Sequence, residues 1–267
     1  LFLLTVFTSA FLLFQVQPLI SKYILPWFGG SPAVWTTCMF FFQITLFGGY
    51  LYAHFLTARM SLKWQLITHI TLLAAALAFL PISPSEVWKP TDASNPAWRI
   101  ITLLAATVGL PYFILSATGP LLQGWFLKAV PGQSPYRLYA LSNVGSLLAL
   151  LTYPLVFEPG FTAEIQVQVW SMTFVVFAVI CAGCALLTAK HDIAAPRKVF
   201  SDDNESESVM NSEDSSIRPA AEQIFLWFSL AAVPSTLLLA TTNQVCADIA
   251  SVPFLWVLPL SLYLLSF

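Results

Sequence analysis

Charge is what this sequence has least of. Only 9% of its 267 residues are Asp, Glu, Lys or Arg, against about 25% in a typical soluble domain. The few charges nearly cancel, 11 basic against 13 acidic for a net −2, so nothing in the composition calls for a nucleic-acid partner. Histidine is scarce at three residues, and the four cysteines (Cys38, Cys181, Cys184 and Cys246) lie in or at the edge of apolar runs. That is not the loop placement of a secreted disulfide framework, and no zinc-ligand spacing occurs. Also missing are a glycine-rich phosphate loop after a strand, a G-x-S-x-G elbow and the strand–helix alternation of a nucleotide-binding domain. No soluble catalytic domain, no metal site and no cofactor are therefore expected within residues 1–267.

Apolar residues are abundant instead, at 58% of the chain. A water-soluble globule of this length cannot hide that much apolar surface, because its own exterior must face water. The solvent these runs suit is lipid. Crossing the hydrocarbon core takes about 20 apolar residues in a helix. On that ruler the sequence predicts an all-α, polytopic membrane bundle of about eight spans: 1–25 (broken at Pro18), 33–56, 64–80, 100–126, 138–157, 165–187, 224–245 and 252–267. The chain opens on Leu1 and stops at Phe267 inside an apolar run, and is expected to be a C-terminally truncated piece of a longer protein.

Three regions follow: a six-span bundle over 1–189, a linker over 190–221, and the first two spans of a second bundle over 222–267. The linker includes SDDNESESVMNSEDSS, which is too polar to offset its ordering entropy by burial and reads as a disordered acidic tether. With the first span starting in the cytoplasm, Arg59, Lys63, Lys128, Arg137, Lys190, Arg197, Lys198 and Arg218 fall inside, and only Lys22, Lys89 and Arg99 fall outside. This is the positive-inside pattern, and it puts the linker in the cytoplasm.

Polar groups within the spans are the candidate site, because an unpartnered one in hydrocarbon costs several kcal/mol. They are Gln15, Gln17, Gln43, Gln123, Asn143, Asn243, Gln244 and Asp248, read either as substrate-binding groups or as interhelical hydrogen-bonding partners. Pro18, Pro111, Pro120 and Pro234 are expected helix breaks, since proline leaves the carbonyl four residues back without its donor. Broken helices at membrane depth are where transporters commonly bind solutes. Gly145 and Ser146 beside Asn143 suit close helix packing. His54 and His69, at comparable depth, make a poor metal pair without a carboxylate, and Cys181-x-x-Cys184 reads as packing.

Several strings taken together resemble a known family: FLLFQVQPLISKYILPWFGGSPAVW (11–35), FGGYLYA (47–53), GLPYFILSATGPLLQGWF (109–126), YRLYALSNVGSLLALLTYPLVFEP (136–159) and VPFLWVLPLSLYLLSF (252–267). They are similar to bacterial fused membrane proteins that join a major-facilitator-like region to a spermidine-synthase-like domain. The resemblance implies a bacterial inner-membrane, multi-pass protein with a major-facilitator-like bundle. It implies a cytoplasmic synthase-like domain on the same full-length chain, with any aminopropyl- or methyltransferase-like activity beyond Phe267. The facilitator loop motif is incomplete: GGYLYAHFLTARM supplies His54 and Arg59 but neither the usual Asp nor the G-R-K cluster. The expected function is thus to anchor the cytoplasmic domain and to move a small polar metabolite. Alternatives are a stand-alone facilitator-type secondary transporter and a structural subunit of a membrane complex. The lipid bilayer is the expected partner.

Overall fold

The structure is a computed structural model that describes residues 1–90, 96–130, 132, 134–194, 220–248 and 253–265. Among these residues it is helical with no strand. In chain order the helices are α1 (Phe2–Phe28), α2 (Pro32–Arg59), α3 (Leu62–Leu77), α4 (Pro96–Ala129), α5 (Tyr136–Gly160), α6 (Ala163–Ala194), α7 (Ala221–Asp248) and α8 (Pro253–Leu265). Six of them, all but α3 and α8, contain stretches long and apolar enough to cross a membrane. The third and eighth expected spans come out shorter, at 16 and 13 described residues. At 1.5 Å per residue α3 reaches about 24 Å, short of the roughly 30 Å core.

Solvent preference is written on the outside of the bundle. Along α2, Phe40, Ile44, Phe47, Leu51 and Phe55 form an exposed stripe, and Val169, Met172, Val176 and Val179 do the same on α6. Phe47 and Val179 are each more than 60% exposed. Stripes this long and continuous exceed what a water-facing monomer leaves bare. Together with the six long apolar helices they define a multi-pass membrane protein.

Helix α1 is the inner post, packed against α4, α5 and α6. Hydrogen bonds tie it in, each worth roughly 0.6–1.7 kcal/mol in a membrane bundle. Ser9 Oγ donates to the Leu115 carbonyl at 3.0 Å, and the Trp170 indole N–H donates to the Leu12 carbonyl at 3.0 Å. Small residues set how near the neighbours come. A Cβ on Gly145 of α5 would sit 2.8 Å from the Phe7 carbonyl oxygen of α1, and one on Gly49 of α2 would collide with Ser116 Oγ of α4. Gly145 and Ser146 are both buried, as expected of a packing face.

The prolines behave differently from expectation. Helix α1 runs unbroken through Pro18 and Pro26, α4 through Pro120 and α7 through Pro234. One missing N–H removes one rung of the ladder, and the rungs on either side, with packing on Pro18's buried face, hold the helix. Pro111 acts on pairing register instead. It follows a five-residue π-turn at Ala105–Gly109, and Pro154 lies inside a second one at Tyr153–Phe157, where Glu158 N–H donates to the Tyr153 carbonyl. Widening a turn by one residue is how such helices absorb a lost donor without breaking.

True stops lie at the loops. Gly29, at φ 89°, occupies the left-handed region that ends α1, and Ser31 then caps α2 by accepting from Val34 N–H, with Pro32 opening the helix. On the same side, Lys89 pairs with Glu86 at 2.6 Å and lies 5.5 Å from the Trp27 ring centre. The expected linker is shorter at both ends than 190–221, because α6 continues to Ala194 and α7 starts at Ala221. His191 in the last turn of α6 suits the negative end of the helix dipole. Residues 195–219, which carry the acidic run, lie outside the described residues.

Candidate functional site

Two cavities follow α1 through the bundle. The larger, about 220 Å³, lies among α1, α2 and α4 on one side and α7 and α8 on the other. Gln17, Gln43, Tyr112, Thr242 and Tyr263 bring polar atoms to a wall otherwise made of Leu, Met and Phe side chains. Gln17 is 5% exposed, and its Nε2 donates to the Tyr112 hydroxyl at 3.0 Å. The other end of that amide, Oε1, is buried with no hydrogen-bond donor, an omission that costs about 1–3 kcal/mol. Tyr112 is held in turn by Phe42, ring centres 4.9 Å apart. The Thr242 hydroxyl donates to the Leu238 carbonyl of its own helix at 2.6 Å, which leaves its lone pairs for another donor.

The smaller cavity, about 90 Å³, is lined with hydroxyls: Ser9, Ser116, Ser142, Ser146 and Tyr50. Three of the serines donate to backbone carbonyls, Ser9 to Leu115, Ser116 to Phe113 and Ser146 to Ser142, so acceptor oxygens remain. Leu13, Phe14 and Leu46 line both cavities and stand between their polar groups. Ser9 and Gln17 are eight residues apart on α1, or about 12 Å along its axis.

Of the expected site residues, the structure brings Gln17 and Gln43 to one cavity. Gln15 is buried as well, but two residues along a helix turn it about 200° away from Gln17. Gln123 and Asn143 are half-buried on α4 and α5, and Gln244 is exposed on α7. The side chains of Asn243 and Asp248 lie outside the described residues. The buried prolines Pro18 and Pro111 belong to the core, while Pro120 and Pro234 are exposed, with Pro120 on the rim of the smaller cavity.

Sequence reasoning missed Tyr112, Tyr263 and the serines. Tyrosine reads as apolar in a hydropathy scan and serine as a packing residue, so only the three-dimensional wall reveals them as polar.

The two histidines do not share an environment. His54 is exposed, whereas His69 is 0% exposed and packed against Tyr52 and Trp125, with ring centres 6.2 and 5.7 Å away. Both ring nitrogens of His69 and the Tyr52 hydroxyl lack partners. Nearby, the Trp125 indole N–H donates to Gln65 Oε1 at 3.3 Å. Cys181 and Cys184 are buried free thiols, and Cys184 contacts the Thr5 hydroxyl at 3.3 Å. Among the described residues no three His, Cys, Asp or Glu side chains converge as a metal site would require.

The amides and hydroxyls described at the two cavities are groups that can hydrogen-bond and orient a solute. Fold and site together define an all-α, multi-pass membrane protein with a largely apolar cavity, carrying a few polar groups, beside its inner helix. Comparison with protein-family models, with curated proteins and with solved structures finds no match.

Proposed function

We propose that this chain is the membrane-embedded region of a fused, major-facilitator-like and spermidine-synthase-like protein of the bacterial inner membrane. In this reading its bundle passes a small polar metabolite and tethers a cytoplasmic synthase-like domain carried further along the same full-length chain. Helices α3 and α8 are read as further spans, giving eight. The observation that carries the transport half is the pair of cavities along α1, each mostly apolar with a few amide or hydroxyl groups brought to its wall. Interhelical hydrogen bonding accounts for Ser9 and for the Gln17 Nε2 group, but not for Gln17 Oε1, which is buried without a donor beside the larger cavity. The larger cavity also lies between the first six helices and the last two, the kind of interface at which alternating-access carriers bind. The family strings and the positive-inside bias support the tether half.

The test is solute flux in proteoliposomes. Full-length protein should accelerate exchange of small polar solutes over empty vesicles, and Leu13→Trp, which adds bulk to the wall common to the two cavities, should abolish the acceleration. Flux equal to that of empty vesicles across a panel of such solutes would refute the transport half. Exposure of the 195–219 segment only to proteases outside the cell would refute the tether half.

A further inference from the structure

We infer that the larger cavity selects an uncharged, flat solute the size of a single substituted aromatic ring, carrying at least one hydrogen-bond donor. The inference rests on reading this cavity as a solute site and names the class of solute it takes. Size comes first. An apolar cavity of about 150 Å³ holds one benzene, so the 220 Å³ here admits a ring with a small substituent, about seven to ten heavy atoms. Shape follows from the walls, where Phe14, Phe42, Tyr112 and Tyr263 offer ring surfaces and Leu13 and Leu260 close the gaps.

Charge is decided by what the wall holds. No Lys, Arg, Asp or Glu is among the described lining residues. A polyamine entering such a site would give up its hydration with no carboxylate to replace it, a cost that neutral amides and hydroxyls do not offset. Asp248, the nearest acidic residue along α7, lies six positions beyond Thr242, about 9 Å further along the axis.

The donor requirement comes from Gln17. Its Nε2 is engaged with Tyr112, while its Oε1 is buried and unpartnered. Gln17 lines the cavity, so a small turn of its amide would bring Oε1 to a ligand O–H or N–H, whereas a bare hydrocarbon leaves the donor missing. Sites with an unmet hydrogen-bonding group discriminate strongly against analogues that cannot meet it.

Equilibrium dialysis of radiolabelled phenol, benzene and spermidine against the full-length protein in lipid nanodiscs tests this, with empty nanodiscs subtracted. One saturable phenol site per chain is expected, about tenfold tighter than benzene. Spermidine should neither bind nor compete. Gln17→Leu should erase the preference by weakening phenol about tenfold while sparing benzene. Leu260→Trp, which fills the cavity without touching the amide, should remove both.

Spermidine displacing phenol, phenol affinity unchanged in Gln17→Leu, or no saturable phenol binding would each overturn the inference. Phenol bound as described but no solute flux in proteoliposomes would sustain the inference and sink the transport reading. Flux of a polyamine without phenol binding would do the reverse.

Discussion

Replacing Gly145 by alanine should force α1 and α5 apart. The new Cβ would stand 2.8 Å from the Phe7 carbonyl oxygen, 3.3 Å from Phe7 Cδ2 and 3.5 Å from Ala10 Cβ. The nearest atom belongs to the backbone of the inner helix, so no rotamer change relieves the contact; a helix must move. Overpacking of this kind costs about 1–3 kcal/mol, while alanine's better helix propensity returns just under about 1 kcal/mol. Gly119, within α4, is the control, because a Cβ there meets nothing within 4 Å. Gly119→Ala should therefore stabilise the bundle by up to about 1 kcal/mol. Propensity cancels between the two variants, so a gap of about 1–3 kcal/mol between them isolates the packing cost. Reversible unfolding in mixed micelles, followed by far-ultraviolet circular dichroism, measures it. If Gly145→Ala proves as benign as Gly119→Ala, the close crossing of α1 and α5 is wrong.

Two other substitutions probe buried polar groups. His69→Phe keeps the ring contacts with Tyr52 and Trp125 and deletes two nitrogens that have no partner. It should raise stability by about 1 kcal/mol or more in the same unfolding assay, and a loss would mean that the imidazole is hydrogen-bonded. Trp170→Phe removes the indole donor to the Leu12 carbonyl and leaves a void beside α1. It should cost about 1–3 kcal/mol, and an unchanged midpoint would contradict the placement of Trp170 against α1.

Much of the helical layout was legible because lipid imposes a simple code. A run of about 20 apolar residues between loops must be a helix, as every backbone group has to be paired within it, and the ends of α2 and α5 lie within three residues of where such runs end, while α6 runs seven residues past its own. The close packing at Gly145 could be read for the same reason, since a glycine in a span lets a neighbouring backbone approach. The effect of proline was misread. The cost of a missing N–H at Pro18 or Pro120 is local, and whether it becomes a break depends on neighbouring helices that a single sequence does not display. The end of α3 was misplaced, because its apolar run continues to Leu80 while its helical hydrogen bonds end at Leu77, with tighter turns after it.

The site was half legible. Any amide in a span attracts attention, but which amides meet is a matter of helix rotation: Gln17 turns into the cavity while Gln15, two residues away, does not. The tyrosines that complete the wall were hidden by their own hydropathy.

In a membrane bundle the outer faces of α2 and α6 are solvated by acyl chains. Nitroxide labels at Phe47 and Val176, both exposed on the bundle, and at Val87 in the loop beside Lys89 would test this in reconstituted bilayers. Oxygen, which concentrates in hydrocarbon, should relax the labels at 47 and 176 most strongly, and a water-soluble nickel chelate should reach only the label at 87. A nickel chelate that relaxes all three labels equally would contradict the membrane-embedded bundle outright.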